Sequence, residues 1–483
     1  MGRIKRKQTK NQKKPLLDKD TALRLAWERG LLSFLLYDYQ IPLYESLWGA
    51  IKNPKCLKYV LNCSRRYGKS TIMCLIALEF AIRNPNSQIR FAAPTGKALK
   101  KITNPIFRML LETCPKHLKP RYYTQDQEWR FQNGSVISCA GTDNGNAENL
   151  RGTASHLNLI DEAGFCDDLN YVLKSILIPQ TLTTGGKTLL ASTPPKTPAH
   201  DFVTIAQECE SEGFYKTYTI YDNKTLSKET IDLYAQESGG YNSSTFKREY
   251  LCQFVTDETL SVVPEWKDEY IQIPDKTNKF DKYYHRYVAL DIGVIDKTAV
   301  IFGHYNFKEG ILYIEDEITL QGNEVTTERL TKEIKDKEKQ VFGDLQPYKR
   351  IADNNNLILL QDLSSIHNLH FSPTNKETLD AMVNETRLMI GGGRIRVHPK
   401  CTHLIGCLKY AIWDKNHKGF ARSSVYGHFD GLAALIYLVR NLDQHTNPIP
   451  LEEFVSPYTH YIPENKQENK QTEIIRRIFR VNK

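Results

Sequence analysis

Two successive α/β domains are what the sequence predicts, on three observations. Apolar strand-like runs alternate with helical patterns from Leu57 to about Ala191; a polar, helix-prone stretch follows from about Ser227 to Leu260; and a second strand-rich series opens at Tyr287. The length of 483 residues agrees, because single hydrophobic cores stop growing at about 250–300 residues.

Composition narrows the class. Hydrophobic residues at 40% and charged residues at 25% are ordinary for a globular protein, and the longest uncharged apolar stretch, Gly431 to Val439, is far short of the roughly 20 residues a membrane span needs. The basic start runs into Pro15-Leu16-Leu17-Asp18-Lys19 rather than an apolar segment, which argues against a secretory leader and for an intracellular address. Ten cysteines are scattered without a Cys-x-x-Cys pair, which predicts reduced structural thiols. A net charge of +9 fits a polyanionic partner without requiring one.

In chain order, residues 1–33 form a basic arm (Arg3, Lys5, Arg6, Lys7, Lys10, Lys13 and Lys14, with no acidic residue up to Lys14) and a lead-in helix from Thr21. Residues 34–225 carry the first domain, with strands at Leu57–Cys63, Ile89–Ala93, Val136–Cys139, Leu157–Ile160 and Thr188–Ala191 and a helix from Ser70 to about Ile82. Residues 226–279 read as a connecting subdomain. Residues 280–445 carry the second domain, with strands at Tyr287–Leu290, Ala299–Gly303 and Ile311–Ile314 and a late apolar helix over Gly431–Val439. The tail, 446–483, ends in Ile474–Arg480, a short amphipathic pattern.

The first domain carries the context of a phosphate-binding loop. Cys63-Ser64-Arg65-Arg66-Tyr67-Gly68-Lys69-Ser70 follows an apolar strand and opens a helix, so backbone N–H groups and the helix N-terminus would cradle phosphates. Lys69 would reach the β- and γ-phosphates and the Ser70 hydroxyl would hold Mg²⁺. Cys63 stands where the motif has its first Gly. Later, Leu157–Ile160 ends in Asp161-Glu162, one carboxylate suited to Mg²⁺ and the next to polarising water; burying such a pair demands compensation. Gln40 precedes the first strand, and its amide offers the donor and acceptor that adenine needs, or serves as an ordinary surface group. Leu189–Pro194 is a strand end whose hydroxyls, including Thr193, are placed to sense a γ-phosphate, and Arg65 and Arg151 are candidates to neutralise transition-state charge.

The second domain repeats one costly event, an Asp closing an apolar run: Asp291 after Tyr287–Leu290, Asp353 after Arg350–Ala352, and Asp430 opening the late helix, where it also reads as a helix cap. Convergent carboxylates suit two Mg²⁺ or Mn²⁺ ions and phosphodiester hydrolysis. Asp296 follows Asp291 closely, and Lys376 and His428 are candidate phosphate contacts or water-orienting groups. Glu315 or Asp362 could assist or replace Asp353, whose neighbours Asn354–Asn356 are unusual.

This ordered set, with Leu150-Arg151-Gly152 and Phe246–Phe254, resembles the terminase large subunits of tailed double-stranded DNA phages over roughly residues 35–440. The resemblance implies an additional-strand, RecA-like P-loop ATPase domain followed by an RNase H-like nuclease domain. It implies ATP contacts from Gln40 (adenine), Ser64, Arg66, Gly68, Lys69, Ser70 and Asp161. Glu162 would be the catalytic base, Thr193 would lie in the coupling turn, and the arginine finger would be Arg65 or Arg151. Asp291, Asp353 and Asp430 would hold the nuclease metals. The implied work is ATP-driven translocation of double-stranded DNA into a procapsid and metal-dependent cutting of concatemeric DNA. The implied partners are a portal protein, which the basic tail at Arg476, Arg477 and Arg480 would dock, a small terminase subunit, and further copies in a homo-oligomeric ring, taken as a pentamer. The implied location is the host cytoplasm, with transient docking on the procapsid and absence from the mature virion. The rival reading is another ATP-dependent translocase or helicase-nuclease of repair type. About one hundred residues between Ser192 and Asp291 are too few for a second RecA-like domain and its linkers.

Overall fold

The computed structural model describes residues 18–450 and Glu453, apart from 153, 294–296, 322–324, 354–356, 375–377, 415 and 424. The basic arm and the tail arginines lie outside the described residues, as do Asp296 and Lys376. The described residues form two compact units, one of those up to 264 with 406–430, the other of 265–405 with those from 431 onward.

In the first unit, β1 (Lys58–Cys63), β2 (Gln88–Ala93), β3 (Arg121–Tyr123), β4 (Glu128–Arg130), β5 (Val136–Gly141), β6 (Leu157–Asp161), β7 (Lys187–Ser192) and β8 (Tyr215–Tyr218) make one sheet in the order 3-4-5-2-6-7-1-8. Neighbours from β5 across to β8 are parallel, whereas β3, β4 and β5 form an antiparallel edge. The central strands are buried on both faces, and so they read in sequence as unbroken apolar runs. The helix Lys69–Arg83 covers one face, packing Ile72 and Ile76 among Leu61, Phe91 and Leu189. On the other face, Phe202 and Ile205 of the helix Asp201–Ser211 meet Val60, Ile160 and Leu190. Each such fully buried side chain contributes about 1.5–3 kcal/mol.

β7 lies between β1 and β6, so one strand separates the end of the loop strand from the Asp161 strand. That insertion is the additional strand expected from the resemblance. The edge strands β3 and β4 and the outer β8 escape the sequence pattern because they are three or four residues long, with Trp129 and Tyr218 their only buried residues.

Glu79, inside the helix Lys69–Arg83, is fully buried. It accepts hydrogen bonds from the Leu32 N–H (2.6 Å), the Tyr44 hydroxyl (2.8 Å) and the Trp48 indole N–H (2.8 Å), and pairs with Arg83 at 3.3 Å. A buried charge tolerates such a site only when it is bonded on every side, and the bonds tie the lead-in segment to the helix that starts at the loop. The helix-prone stretch before Leu260 forms only Lys228–Glu237 and Ser244–Glu249 as regular helices. All ten cysteines are buried and free, in line with reduced structural thiols. Among the described residues, no helix is long and apolar enough to cross a membrane.

In the second unit, β9 (His285–Asp291), β10 (Lys297–Asn306) and β11 (Ile311–Gln321) are an antiparallel meander. β12 (Lys349–Ala352) joins β9 in parallel, β13 (Ser372–Pro373) joins β12, and β14 (Ile395–Val397) joins β11, giving the order 13-12-9-10-11-14. This is the RNase H-like arrangement. One face packs Val288, Leu290, Val300 and Phe302 against Leu330 and Ile334 of the helix Thr327–Phe342 and Leu360 and Leu363 of the helix Leu357–Ser365.

Glu315, on β11, is buried with His304: the His304 Nδ1 and Glu315 Oε1 atoms are 2.7 Å apart, and the Lys276 ammonium lies 2.6 Å from Glu315 Oε2. Burial works to raise this carboxyl, but the hydrogen bond and charge of His304, with Lys276, hold it down at about 2. Its folded value is depressed, so its contribution to stability is complete above the usual 4.5 and is lost as the pH falls towards 2. Glu315→Gln is expected to cost about 2 kcal/mol at neutral pH and to flatten the acid limb of a denaturation profile between those values. Urea titrations at a series of pH values check this, and an unchanged acid limb contradicts it.

Candidate nucleotide and nuclease sites

The loop between β1 and the helix Lys69–Arg83 is held from behind. Ser64 N–H donates to the Tyr218 carbonyl and Arg65 N–H to the Glu249 carbonyl, each at 2.8 Å. Arg248, buried, ion-pairs with Asp257 at 2.8 Å and with Glu249 at 3.2 Å, while the Asn62 amide donates to the Cys252 carbonyl at 2.8 Å. The segment 246–254, flagged in the sequence only as a family-like run, thus braces the loop. Two residues take left-handed backbone, Arg66 at φ 64° and Gly68 at φ 97°. Glycine is required at the second, because a Cβ there would stand 2.0 Å from the Gln40 amide nitrogen.

Gln40 is buried beside the loop, and both ends of its amide are used: Nε2 donates to the Tyr67 carbonyl at 2.9 Å and Oε1 accepts from the Tyr37 N–H at 3.1 Å. The structure therefore gives Gln40 the task of holding the loop. One N–H and one lone pair of the amide lie beyond these two bonds, as an adenine contact needs.

Lys69, only 6% exposed, reaches across to Glu162, with Nζ 2.8 Å from Oε1. Burial opposes its charge, but the carboxylates of Glu162 and Asp161 keep its pKa above the ordinary value. Asp161 ends β6, buried, and burial pushes its pKa up to about 6; the Glu162 charge adds to this, while Lys69 and the Ser70 hydroxyl pull the other way. Glu162 sits in left-handed backbone at φ 52°, uncommon for a non-glycine residue and concentrated at functional sites. Its Oε2 is buried with no hydrogen-bond partner among the described residues. A carboxylate oxygen left unsatisfied beside an ammonium and a second buried carboxylate costs stability unless another group completes the site, so the donor set fits an Mg²⁺-bound nucleotide and an attacking water.

Behind Glu162, the Gly164 N–H donates to the Ser192 hydroxyl at 2.9 Å, and Thr193 is buried next in line. The turn after β7 is thereby bonded two residues beyond Glu162. Arg65 is exposed and pairs with Glu249 at 3.5 Å. Arg151, also exposed, pairs with Glu148 at 2.7 Å and donates to the Tyr171 hydroxyl at 3.1 Å.

In the second unit, Asp291 closes β9 and Asp353 follows β12 by one residue. The parallel pairing ends at Ala352↔Leu290, one residue before each aspartate, so the two stand at neighbouring strand ends. Both alternate with Leu290 and Ala352, which face the helix Thr327–Phe342, so both carboxylates lie on the opposite face of the sheet. Asp353 is buried, and the Tyr437 hydroxyl donates to its Oδ2 at 3.5 Å. Neighbouring carboxylates at strand ends are a chemically suitable start for oxygen-ligated Mg²⁺ or Mn²⁺.

Asp430 is buried at the first position of the helix Asp430–Arg440, after a fully buried Phe429 forced to φ 61°. His428 is exposed just before it. Among the described residues, no three of the His, Cys, Asp and Glu side chains form a group that could hold a metal ion. The register brings Asp291 and Asp353 to neighbouring strand ends. Glu315 is committed to His304 and Lys276, and Asp362 belongs to the helix packed on the opposite face, so neither replaces Asp353.

Residues 60–262 match the family model described as terminase large subunit, T4-like virus type, N-terminal. The large terminase subunit of Escherichia phage T5 is 24% identical over 379 residues, covering 76% of this chain and 81% of the phage protein. The crystal structure of the bacteriophage HK97 large terminase superposes with a TM-score of 0.51 at 14% identity, covering 88% of this chain and all of that one. The large terminase of a thermophilic bacteriophage, in complex with ADP, gives 0.39 at 16% identity, over 84% and 99%.

Proposed function

We propose, from the premise that this chain is a terminase large subunit, that it is the ATP-hydrolysing motor and the DNA-cutting enzyme of a phage packaging complex. The observation that carries the motor half is the 2.8 Å pair between Lys69 and Glu162 beside the buried Asp161, across the additional strand. In this pair the two groups neutralise one another. An arriving γ-phosphate offers Lys69 a more highly charged partner, and the freed Glu162 carboxylate accepts the proton of the attacking water. Ser70 and Asp161 would hold Mg²⁺, which supplies charge neutralisation on the phosphates. Loss of the γ-phosphate would then be felt through Gly164, Ser192 and Thr193. Arg65 acts as a finger within its own chain, or Arg151, standing on the surface, acts on a neighbouring subunit.

For the nuclease half, Asp291 and Asp353, with Asp430 as the third carboxylate, would hold two Mg²⁺ or Mn²⁺ ions. Bound there, the ions would supply an activated water and stabilise the leaving oxygen of a phosphodiester. Double-stranded DNA, a portal protein, a small terminase subunit and a homo-oligomeric, pentameric ring are the partners this reading requires. Its place is the host cytoplasm, docked transiently on the procapsid. The interposed β7 and the roughly one hundred residues between Ser192 and Asp291, too few for a second RecA-like domain and its linkers, favour this over a tandem-domain repair helicase.

Lys69→Ala tests the division of labour. DNA translocation and ATP hydrolysis are expected to be lost, and Mn²⁺-dependent plasmid nicking retained. Loss of both activities in a folded Lys69→Ala protein contradicts two independent sites.

A further inference from the structure

A cavity in the first unit has neither Lys69 nor Glu162 in its wall. It has a volume of about 1000 Å³ and is walled by the ends of β2 and β5, the segment after β2 and the β3–β4 hairpin. Six cationic side chains, Arg90, Lys97, Lys100, Lys101, Arg130 and Arg151, face two carboxylates, Asp126 and Glu128, a balance of +4. Arg130 is ion-paired with those two acids at 2.8 Å each. Lys97, Lys100 and Lys101 are exposed and make no ion pair among the described residues. Lys100 and Lys101 sit on a π-helical turn, Leu99–Thr103, a geometry that costs regular packing and concentrates at functional sites. That turn presents them beside the neutral amides of Asn146 and Asn149.

The chemistry of the lining selects the ligand. Pockets for small cofactors are mostly apolar, and here glycines, Cys139 and Ala140 are the main non-polar contributors. No aromatic side chain among the described residues lines the cavity, so it offers no platform for unstacked bases. Lysines interleaved with side-chain amides are the groups that bind the sugar-phosphate backbone without reading sequence. We propose that this cleft is a grip for the phosphate backbone of duplex DNA, with Lys97, Lys100 and Lys101 as its phosphate contacts. The proposal rests on the motor reading above and adds the surface through which it would hold its track. β2, which forms the floor, pairs directly with β6, whose end carries Asp161, so the grip would lie one strand from the hydrolytic carboxylates. Arg151 lines this cleft while paired to Glu148, so it is placed to sense the same ligand.

The test compares the full-length wild type with two triple variants of equal charge change. One is Lys97→Ala, Lys100→Ala, Lys101→Ala; the other removes Lys19, Lys52 and Lys116, exposed lysines elsewhere in the first unit. Binding of a fluorescent mixed-sequence duplex is followed by anisotropy from about 50 to 200 mM salt, where each lost phosphate contact lowers the log–log slope by about 0.9. The cleft variant is expected to lose about 2–3 from the slope and the control variant less than about 1. Equal slopes in both variants, with a wild type that binds duplex, overturn the cleft alone. A wild type that binds no duplex overturns the motor reading and the cleft with it. Cleft-dependent binding of polyglutamate with duplex binding unaltered overturns the grip in favour of an acidic protein partner.

Discussion

Glu162→Gln is expected to slow ATP hydrolysis by about a thousandfold, with ATP bound at least as tightly as in the wild type. The amide preserves the shape of the side chain but cannot take a proton from water, which removes the general base. It also dissolves the 2.8 Å ion pair between Lys69 and Glu162, leaving the ammonium available to phosphate. A steady-state assay read together with nucleotide-binding titrations separates the two effects: kcat falls while Kd is unchanged or lower. Hydrolysis within about tenfold of wild type would mean that another group activates the water, and the assignment of the base would be wrong.

Asp291→Ala is expected to abolish Mn²⁺-dependent nicking, a loss of at least about a hundredfold, while ATP hydrolysis keeps its wild-type rate. Asp291 closes β9 next to the site of Asp353, and removing one carboxylate of such a pair halves the charge available to a cation there. The ATPase readout matters because it reports that the remainder of the chain is folded. Full nicking by the folded variant places the cutting chemistry elsewhere.

The two sites were unequally legible in the sequence, for physical reasons. The phosphate loop and the Asp161-Glu162 pair are local: a buried parallel strand must be apolar, so polar or charged residues at its end stand out against the run. The Lys69–Glu162 contact could not be read because it depends on which strands are neighbours, and β7 intervenes in space although it follows both in sequence. Gln40 was visible as a residue but its bracing of the loop was not, since its partners are the Tyr67 carbonyl and the Tyr37 N–H, main-chain groups that no side-chain pattern reveals. Glu79 left no signal at all, because an acidic residue in a helix reads as a solvated one until the segment around Leu32 and Trp48 closes over it. In the second unit each aspartate was conspicuous at the end of an apolar run, but the pairing that sets Asp353 beside Asp291 is a matter of strand register. The β3–β4 edge, which walls the basic cleft, was missed because its strands are three residues each and half exposed.

Two separate divalent-metal sites for phosphate chemistry, held by one polypeptide, are the central requirement of a motor joined to a nuclease. Anomalous diffraction from crystals of the full chain, grown with a non-hydrolysable ATP analogue and soaked in Mn²⁺, measures that directly. The predicted map has one peak between Ser70 and Asp161 at the nucleotide and others coordinated by Asp291 and Asp353. A map with manganese at the nucleotide and none at Asp291 or Asp353 would contradict it.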